Sequence, residues 1–209
     1  MKRVDNYQIQ AGLAKQHFLQ YDQQEIIDKL GLKVDDAWLY TRFLGQEHRV
    51  DRKTGDIFRL DGGNWVGANS FAEVLTLFDL MCDSKPDRFV VGKWKTLQAF
   101  GNQFHSSMLE KPENPFADAI GRDPQAFVRA CERMGGVPVT GADIACSIEL
   151  FDGLPLGLFF WEQDEDFPAS IRYYLDENAL MYLRYETMHY LTGLVSGRLL
   201  EWMQEKEMG

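Results

Sequence analysis

Residues 156–176 read LGLFFW-EQDED-FPAS-IRYYLD, and this stretch decides the fold. Apolar side chains alternate in 156–161 and again in 171–175, at the period of two that is typical of a strand with one buried face. Residues 162–166, with four carboxylates, separate the two strands. The sequence therefore predicts a hairpin at the centre of a sheet, closed by an acidic loop.

The rest of the chain supplies helices and further strands. Helical periodicity and capping residues predict helices over 6–20, 22–31, 70–82, 123–134 and 184–206. Alternation predicts strands over 38–44, 47–51, 57–60 and 144–150. Residues 88–122 are the least regular part, and Pro112 and Pro115 exclude a long helix there.

These elements indicate the fold class. Long crossover helices after each strand are missing, so a parallel sheet is not expected. We predict a single α+β domain over residues 1–209 with a mostly antiparallel sheet. Its strands form two three-stranded groups, packed with N-terminal, middle and long C-terminal helices.

Charge and cysteine content exclude several classes of protein. The formal net charge is −10, and nucleic acids and anionic membranes both attract basic proteins, so neither is expected as a partner. The sequence shows no apolar run of membrane-spanning length and no signal peptide, which favours a cytoplasmic protein. Cys82, Cys131 and Cys146 are widely spaced. This spacing argues against a zinc or redox site and predicts buried thiols.

The acidic loop is one candidate site. Clustered carboxylates suit Ca²⁺ or Mg²⁺, and neighbouring acids raise one another's pKa values, as a general acid requires. The competing interpretation is a solvated turn, in which Trp161, Phe167 and Pro168 pack below while the acids face water or pair with Arg172. The candidate ligand-binding residues of this region are Trp161, Glu162, Asp164 and Asp166.

A second candidate site lies in the irregular segment. His105 suits a general base with Ser106 or Ser107 as nucleophile, or an axial ligand to a haem or corrinoid. The large aromatics Trp94 and Phe104 suit an apolar ligand or a protein partner. A histidine that caps a loop is the competing interpretation, and no G-x-S-x-G elbow supports a hydrolase.

Glu186 and His189 form an E-x-x-H pair, which places both side chains on one helix face, as in half of a di-iron carboxylate site. A second copy of the motif is missing from the sequence. A boundary histidine beside Tyr185 is therefore the competing interpretation of this weak metal candidate.

Three segments are similar to a prokaryotic family, the domain of unknown function 3786. They are Asn6-Tyr7 with YTRFLGQEHRV (40–50), Gly135-Gly136 with the following strand, and FWEQDEDFPA (160–169) with the helix after it. The family has no established activity, so the resemblance implies no catalytic residue. Relatives with an iron–sulfur domain ahead of this one imply anaerobic metabolism near corrinoid or other tetrapyrrole chemistry. Because this chain has no cysteine cluster, we expect no iron–sulfur cluster in it.

Three functions stay open at this point. The first, which we prefer, is a small-molecule- or cofactor-binding accessory protein of anaerobic metabolism, with a pocket where residues 92–116 meet the sheet. The second is an enzyme that uses His105 with the carboxylates of the acidic loop. The third is a protein-interaction module without small-molecule chemistry.

Overall fold

The computed structural model describes residues 6–68, 70–101 and 114–205. The helices are α1 (Asn6–Gln20), α2 (Gln23–Leu30), α3 (Phe71–Phe78), α4 (Pro115–Arg122), α5 (Pro124–Arg133) and α6 (Tyr185–Gln204). The strands are β1 (Lys33–Val34), β2 (Trp38–Phe43), β3 (Gln46–Asp51), β4 (Ile57–Asp61), β5 (Asn64–Gly67), β6 (Trp94–Thr96), β7 (Val137–Pro138), β8 (Ile144–Phe151), β9 (Leu154–Trp161) and β10 (Ser170–Asp176). Within these ranges, none of the helices combines the length and apolar character that a membrane crossing requires.

The strands form two antiparallel sheets, which confirms the α+β class. The first has the order β1-β2-β3-β4-β5, and the second has the order β6-β10-β9-β8-β7. The prediction of two three-stranded groups is wrong in detail, because short edge strands extend each group to five. The sequence prediction missed the edge strand β5. Gly62 and Gly63, with φ values of 56° and 82°, turn the chain back into this strand.

The hairpin predicted from residues 156–176 is confirmed. Strand β9 is the middle strand of the second sheet, paired with β8 on one side and β10 on the other. Its side chains at 154, 156, 158 and 160 are fully buried on the core side. A two-residue turn with positive φ at Asp152 and Gly153 joins β8 to β9, as hairpins with this tight connection require.

A second hairpin tip connects the two sheets. Leu44 and Gly45 join β2 to β3 with φ values of 49° and 69°. The Leu44 side chain is fully buried, and its backbone N–H donates to the carbonyl of Leu150 on β8 at 2.9 Å. A Cβ at Gly45 would overlap the carbonyl oxygen of Met134, at the end of α5. Glycine therefore serves both the turn and the close approach of this tip to α5.

The described parts of the segment 88–122, which are residues 88–101 and 114–122, are more regular than the sequence indicated. They contain β6, a 3₁₀ turn over Leu97–Phe100, and α4. Pro115 occupies the first turn of α4, where its missing N–H costs nothing, and Asn114 caps that helix. The proline that excluded a long helix thus begins a short one.

A buried ionic cluster holds α3 against α6. Glu73, in the first turn of α3, is 1% exposed. Its carboxylate accepts a 2.5 Å hydrogen bond from Arg198 of α6 and a 3.2 Å hydrogen bond from Arg59 of β4. His48 of β3 faces the same carboxylate at 3.2 Å, and its other ring nitrogen lies 2.9 Å from the carbonyl oxygen of Gln46. The start of α3 is therefore fixed to the end of α6.

Candidate ligand-binding cleft at a π-helical turn

Helix α3 continues as one π-helical turn, Asp79–Asp83. The apolar side chains of α3 recur at helical spacing, as the sequence predicts. Ser70 caps the start of α3 by accepting from the N–H of Glu73 at 3.1 Å. The wider π turn leaves Asp79 and Asp83, four residues apart, on one side of the chain. Single π turns within helices occur frequently at functional sites.

These two aspartates lie in a cleft of about 410 Å³ between α1, the π turn and the start of α6. This volume is within the range of small-molecule sites. The apolar lining consists of Leu13, Ala14, Leu75 and Phe78. The polar lining consists of Gln10, His17, Asp79, Asp83, Arg184, Glu186, Thr187 and Tyr190.

Asp79 is the most enclosed acid of the cleft, with its side chain 5% exposed. It accepts from the backbone N–H of Arg184 at 2.9 Å and pairs with the Arg184 Nε at 3.0 Å. The hydroxyl of Thr187 and the carboxyl group of Asp83 lie near it and influence its pKa. Asp79 and Asp83 are therefore neighbours at the floor of the cleft, and Arg184 pairs with both.

The pKa of Asp79 lies above its ordinary value. Burial is the largest cause, because it disfavours the charged carboxylate, and the neighbouring carboxyl group of Asp83 raises the pKa further. Thr187 and the positive charge of Arg184 act in the opposite direction without cancelling the effect. A buried acid with a raised pKa, positioned in a cleft, is a feature of functional sites.

Arg184 spans both acids from the residue before α6. Its side chain is 60% exposed and also pairs with Asp83. The hydrogen bond with Asp83 is the largest cause that raises the pKa of Arg184. Tyr21 adds a long 3.4 Å hydrogen bond to Asp83. The acids are therefore covered on the solvent side mainly by one long, exposed and flexible side chain.

This arrangement offers an apolar wall, two neighbouring carboxyl groups and a guanidinium group. It suits a small organic molecule with polar groups at one end. A metal ion has no such support, because the described residues nowhere bring together three His, Cys, Asp or Glu side chains that could hold one.

The predicted aromatic residues Trp94 and Trp161 lie elsewhere, on the face of the second sheet that points away from the core. Their ring centroids are 6.0 and 6.4 Å from that of Phe159, which lies between them. Because Trp94 belongs to the edge strand β6 and not to an irregular segment, the two indoles share a sheet face that sequence spacing does not reveal.

The acidic loop is exposed throughout residues 162–168. Asp164 accepts from the backbone N–H groups of Asp166 and Phe167 at 2.9 and 2.7 Å, so it stabilises the turn itself. Phe167 is 70% exposed, so the expectation that it packs beneath the loop is wrong. Glu162 borders an open hollow with Asp118 and Arg122.

Glu186 and His189 do not share a site. Glu186 lines the cleft, whereas His189 borders a separate cavity of about 190 Å³ with Leu97, Gln98 and Asn114. The His189 ring packs edge-on against Tyr185 at 4.9 Å, as the competing interpretation expects. His105 and Phe104 lie outside the described residues.

Sequence reasoning missed Asp79, Asp83 and Arg184. A readable signal was present, since LFDLMCD (77–83) places two acids four apart in an otherwise apolar helix end. Arg184 has no such signal, because it is about a hundred residues further along the chain and meets the acids only through the fold.

Residues 22–198 match the model of a family described as "Domain of unknown function (DUF3786)". No curated protein and no solved structure matches the chain.

Proposed function

The chain belongs to the DUF3786 family, and from the geometry of its cleft we propose that it binds a small organic molecule between α1, the π turn and α6. The observation that carries the proposal is the placement of Asp79 and Asp83 next to each other, both paired with Arg184, at the floor of this cleft. Keeping two carboxyl groups in contact is unfavourable, and the fold does so beside an apolar wall that is open to a ligand.

The ligand's polar end meets Asp83 and Arg184, and its apolar part lies against Leu75 and Phe78. This refines the preferred interpretation of the sequence, a binding protein, and moves the ligand from residues 92–116 to the cleft. The association with anaerobic metabolism, and a tetrapyrrole or corrinoid as ligand, stay predictions from the family resemblance.

The test is a fragment screen by saturation-transfer NMR with a matched pair of variants on α1. Gln10 and Gln16 are both exposed, but only Gln10 lines the cleft. Gln10→Trp places an indole in the cleft, whereas Gln16→Trp places it in solvent. We expect fragments that bind the wild type and Gln16→Trp to lose binding with Gln10→Trp, and to weaken with Asp83→Asn. If no fragment distinguishes the two tryptophan variants, the cleft is not the binding site.

The raised pKa of Asp79 favours a second candidate, an enzyme that uses this acid as a proton donor. The discriminating variant is Asp79→Asn, which keeps the size of the side chain and removes the transferable proton. For an enzyme, fragments that the wild type converts still bind to this variant but stay unconverted in the NMR spectrum. For a pure binding protein, neither form converts a bound fragment.

A further inference from the structure

The charges around the cleft are unbalanced. Among the described residues that line it, three are acids, Asp79, Asp83 and Glu186, and these face a single arginine, Arg184, without any lysine. Negative charge is therefore in excess when the acids are ionised. A cleft lined by one sign of charge attracts molecules of the opposite sign, so this lining favours a ligand that carries positive charge.

Arg184 is the cation that holds these acids in the free protein. Its guanidinium group pairs with Asp79 and Asp83. The hydrogen bond with Asp83 is the largest cause of the raised pKa of Arg184, and the charges of Asp79, Asp83 and Glu186 add to it. The Asp79 and Asp83 side chains are 5% and 25% exposed, whereas that of Arg184 is 60% exposed. The guanidinium thus lies where a second cation would arrive from solvent.

A group that takes the place of this guanidinium must meet two conditions. An ionised carboxylate only accepts hydrogen bonds, so the incoming group has to donate them. The group must also be positively charged, because a neutral one would leave enclosed acids without a counter-ion. A protonated amine meets both conditions, since its ammonium group is a compact positive charge with several N–H donors.

We propose that the cleft binds a protonated organic amine, whose ammonium group takes Asp83 from Arg184 and whose apolar part lies against Leu75 and Phe78. This inference rests on the proposed function and names the chemical class of its ligand. Tyr190, which is 38% exposed, adds a further aromatic ring to the lining. Aromatic rings attract ammonium groups, so this side of the cleft also favours an amine.

The exchange of one cation for another requires little movement of the protein. Asp79 accepts from the backbone N–H of Arg184 at 2.9 Å, and this N–H stays in place when the Arg184 side chain turns away. Asp83 keeps its long hydrogen bond from Tyr21 at 3.4 Å. One exposed side chain therefore has to rotate, while the helices that form the cleft remain where they are.

The test is a ligand-observed NMR titration of the full chain at about pH 7 with three probes that share one apolar group. These are phenethylamine, phenethyl alcohol and hydrocinnamate, and the amine is protonated at this pH, as a lysine side chain is. We expect phenethylamine to bind about tenfold or more tightly than phenethyl alcohol, because only the amine replaces the charge of Arg184. Hydrocinnamate should be the weakest of the three, since its carboxylate is repelled by the acids.

Two variants examine the residues that exchange partners. Asp83→Asn should weaken the binding of phenethylamine by about tenfold and leave that of phenethyl alcohol unchanged. The matched control is Asp87→Asn, the same change at an exposed acid outside the cleft lining, which should leave both unchanged. Arg184→Met removes the competing cation, so phenethylamine should bind several-fold more tightly to this variant, whereas a ligand held by Arg184 would bind more weakly.

Binding of the alcohol by each variant serves as the check of folding, because it depends on the shape of the cleft and not on charge. The amine assignment is overturned if phenethylamine does not bind, or binds no better than the alcohol. It is also overturned if Asp83→Asn binds the amine as the wild type does, or if Arg184→Met binds it more weakly. Should the probes still lose binding with Gln10→Trp and not with Gln16→Trp, the cleft binds another class of molecule and the proposed function stands. Probe binding that Gln10→Trp leaves unchanged would refute both.

Discussion

The buried carboxylate of Glu73 should make a measurable, pH-dependent contribution to stability. Burial by itself would raise the pKa of Glu73, but the hydrogen bond with His48 and the positive charges of Arg198 and Arg59 outweigh it. The result is a pKa lowered from 4.5 to about 2. This difference corresponds to about 3 kcal/mol of folding free energy at neutral pH.

The sign follows from the direction of the pKa change. A carboxyl group whose folded pKa lies below its unfolded pKa stabilises the protein above the unfolded value, and this stability disappears as the pH falls towards the folded value. For Glu73 the window runs from 4.5 down to about 2. Glu73→Gln removes the titrating group and leaves Arg198 buried without its anion, so it should destabilise the protein by about 3 kcal/mol at pH 7.

The assay is urea unfolding of the wild type and Glu73→Gln at several pH values. The difference in free energy of unfolding should narrow from about 3 kcal/mol at pH 7 to about 2 kcal/mol near pH 3.5. Glu132→Gln, at an exposed position of α5, is the control and should stay within about 0.5 kcal/mol of the wild type. A difference that is constant over this pH range, or a Glu73→Gln protein as stable as the wild type, would refute the reasoning.

A partner substitution separates the ion pair from the general cost of mutating the core. Arg198→Met combined with Glu73→Gln removes both charges of the shortest contact in the cluster. The double variant should be less destabilised than the sum of the two single variants, since it leaves fewer buried charges unpaired. Strict additivity would mean that these two groups do not interact in the folded protein.

Three further changes test other parts of the structure. Gly45→Ala should lower the free energy of unfolding in urea by more than about 2 kcal/mol, because the φ of Gly45 is +69° and a Cβ would overlap the Met134 carbonyl. The control is Gly12→Ala, in open space on α1, which should raise the free energy of unfolding by about 0.5 to 1 kcal/mol. A Gly45→Ala protein as stable as the wild type would show that the hairpin tip can move. The pKa of Asp79 is raised above 3.8, so the wild type should lose stability relative to Asp79→Asn as the pH rises above that ordinary value, where the unfolded chain releases the proton first; a pH-independent difference would contradict this. Burial raises the pKa of Cys82 to about 12, and the other two cysteines are also buried. Iodoacetamide at about pH 8 should therefore leave the native thiols unmodified while the urea-unfolded chain is alkylated, as mass spectrometry would detect, and rapid native alkylation would disprove it.

The sequence was sufficient for the elements whose pattern is long. Strand β9 repeats its apolar positions four times, and α3 and α6 present stripes of several turns, so burial and periodicity agree. Strands β1 and β7 have two residues each and β6 has three. Alternation cannot be recognised over so few positions, and these strands exist only because a longer neighbour offers hydrogen bonds along its edge. For this reason the fold class was predicted correctly, whereas each sheet was predicted with too few strands.

The site was harder to predict than the fold for a related reason. The clustering of 162–166 attracts attention because the acids are neighbours in sequence, yet in the structure they face solvent and Asp164 serves its own turn. Asp79 is less conspicuous in the sequence, but burial and the contact with Asp83 change its chemistry. Local composition therefore shows where charges are dense in the sequence. Whether the pKa of one acid is shifted depends on the groups that the fold packs against it.

The two ionic clusters that join α3 to α6 differ in the exposure of their arginine side chains, and this difference affects how a ligand reaches the cleft. At one end of the helix pair, Glu73 meets Arg198, whose side chain is 6% exposed. At the other end, Asp79 and Asp83 meet Arg184, whose side chain is 60% exposed. Displacing Arg198 would leave a charge in the core, whereas Arg184 already lies largely in water and can turn away from the acids at a smaller cost. The pair of Glu73 and Arg198 thus keeps the helices in place while Arg184 moves, so a ligand can compete for the aspartates without unfolding the protein that holds them.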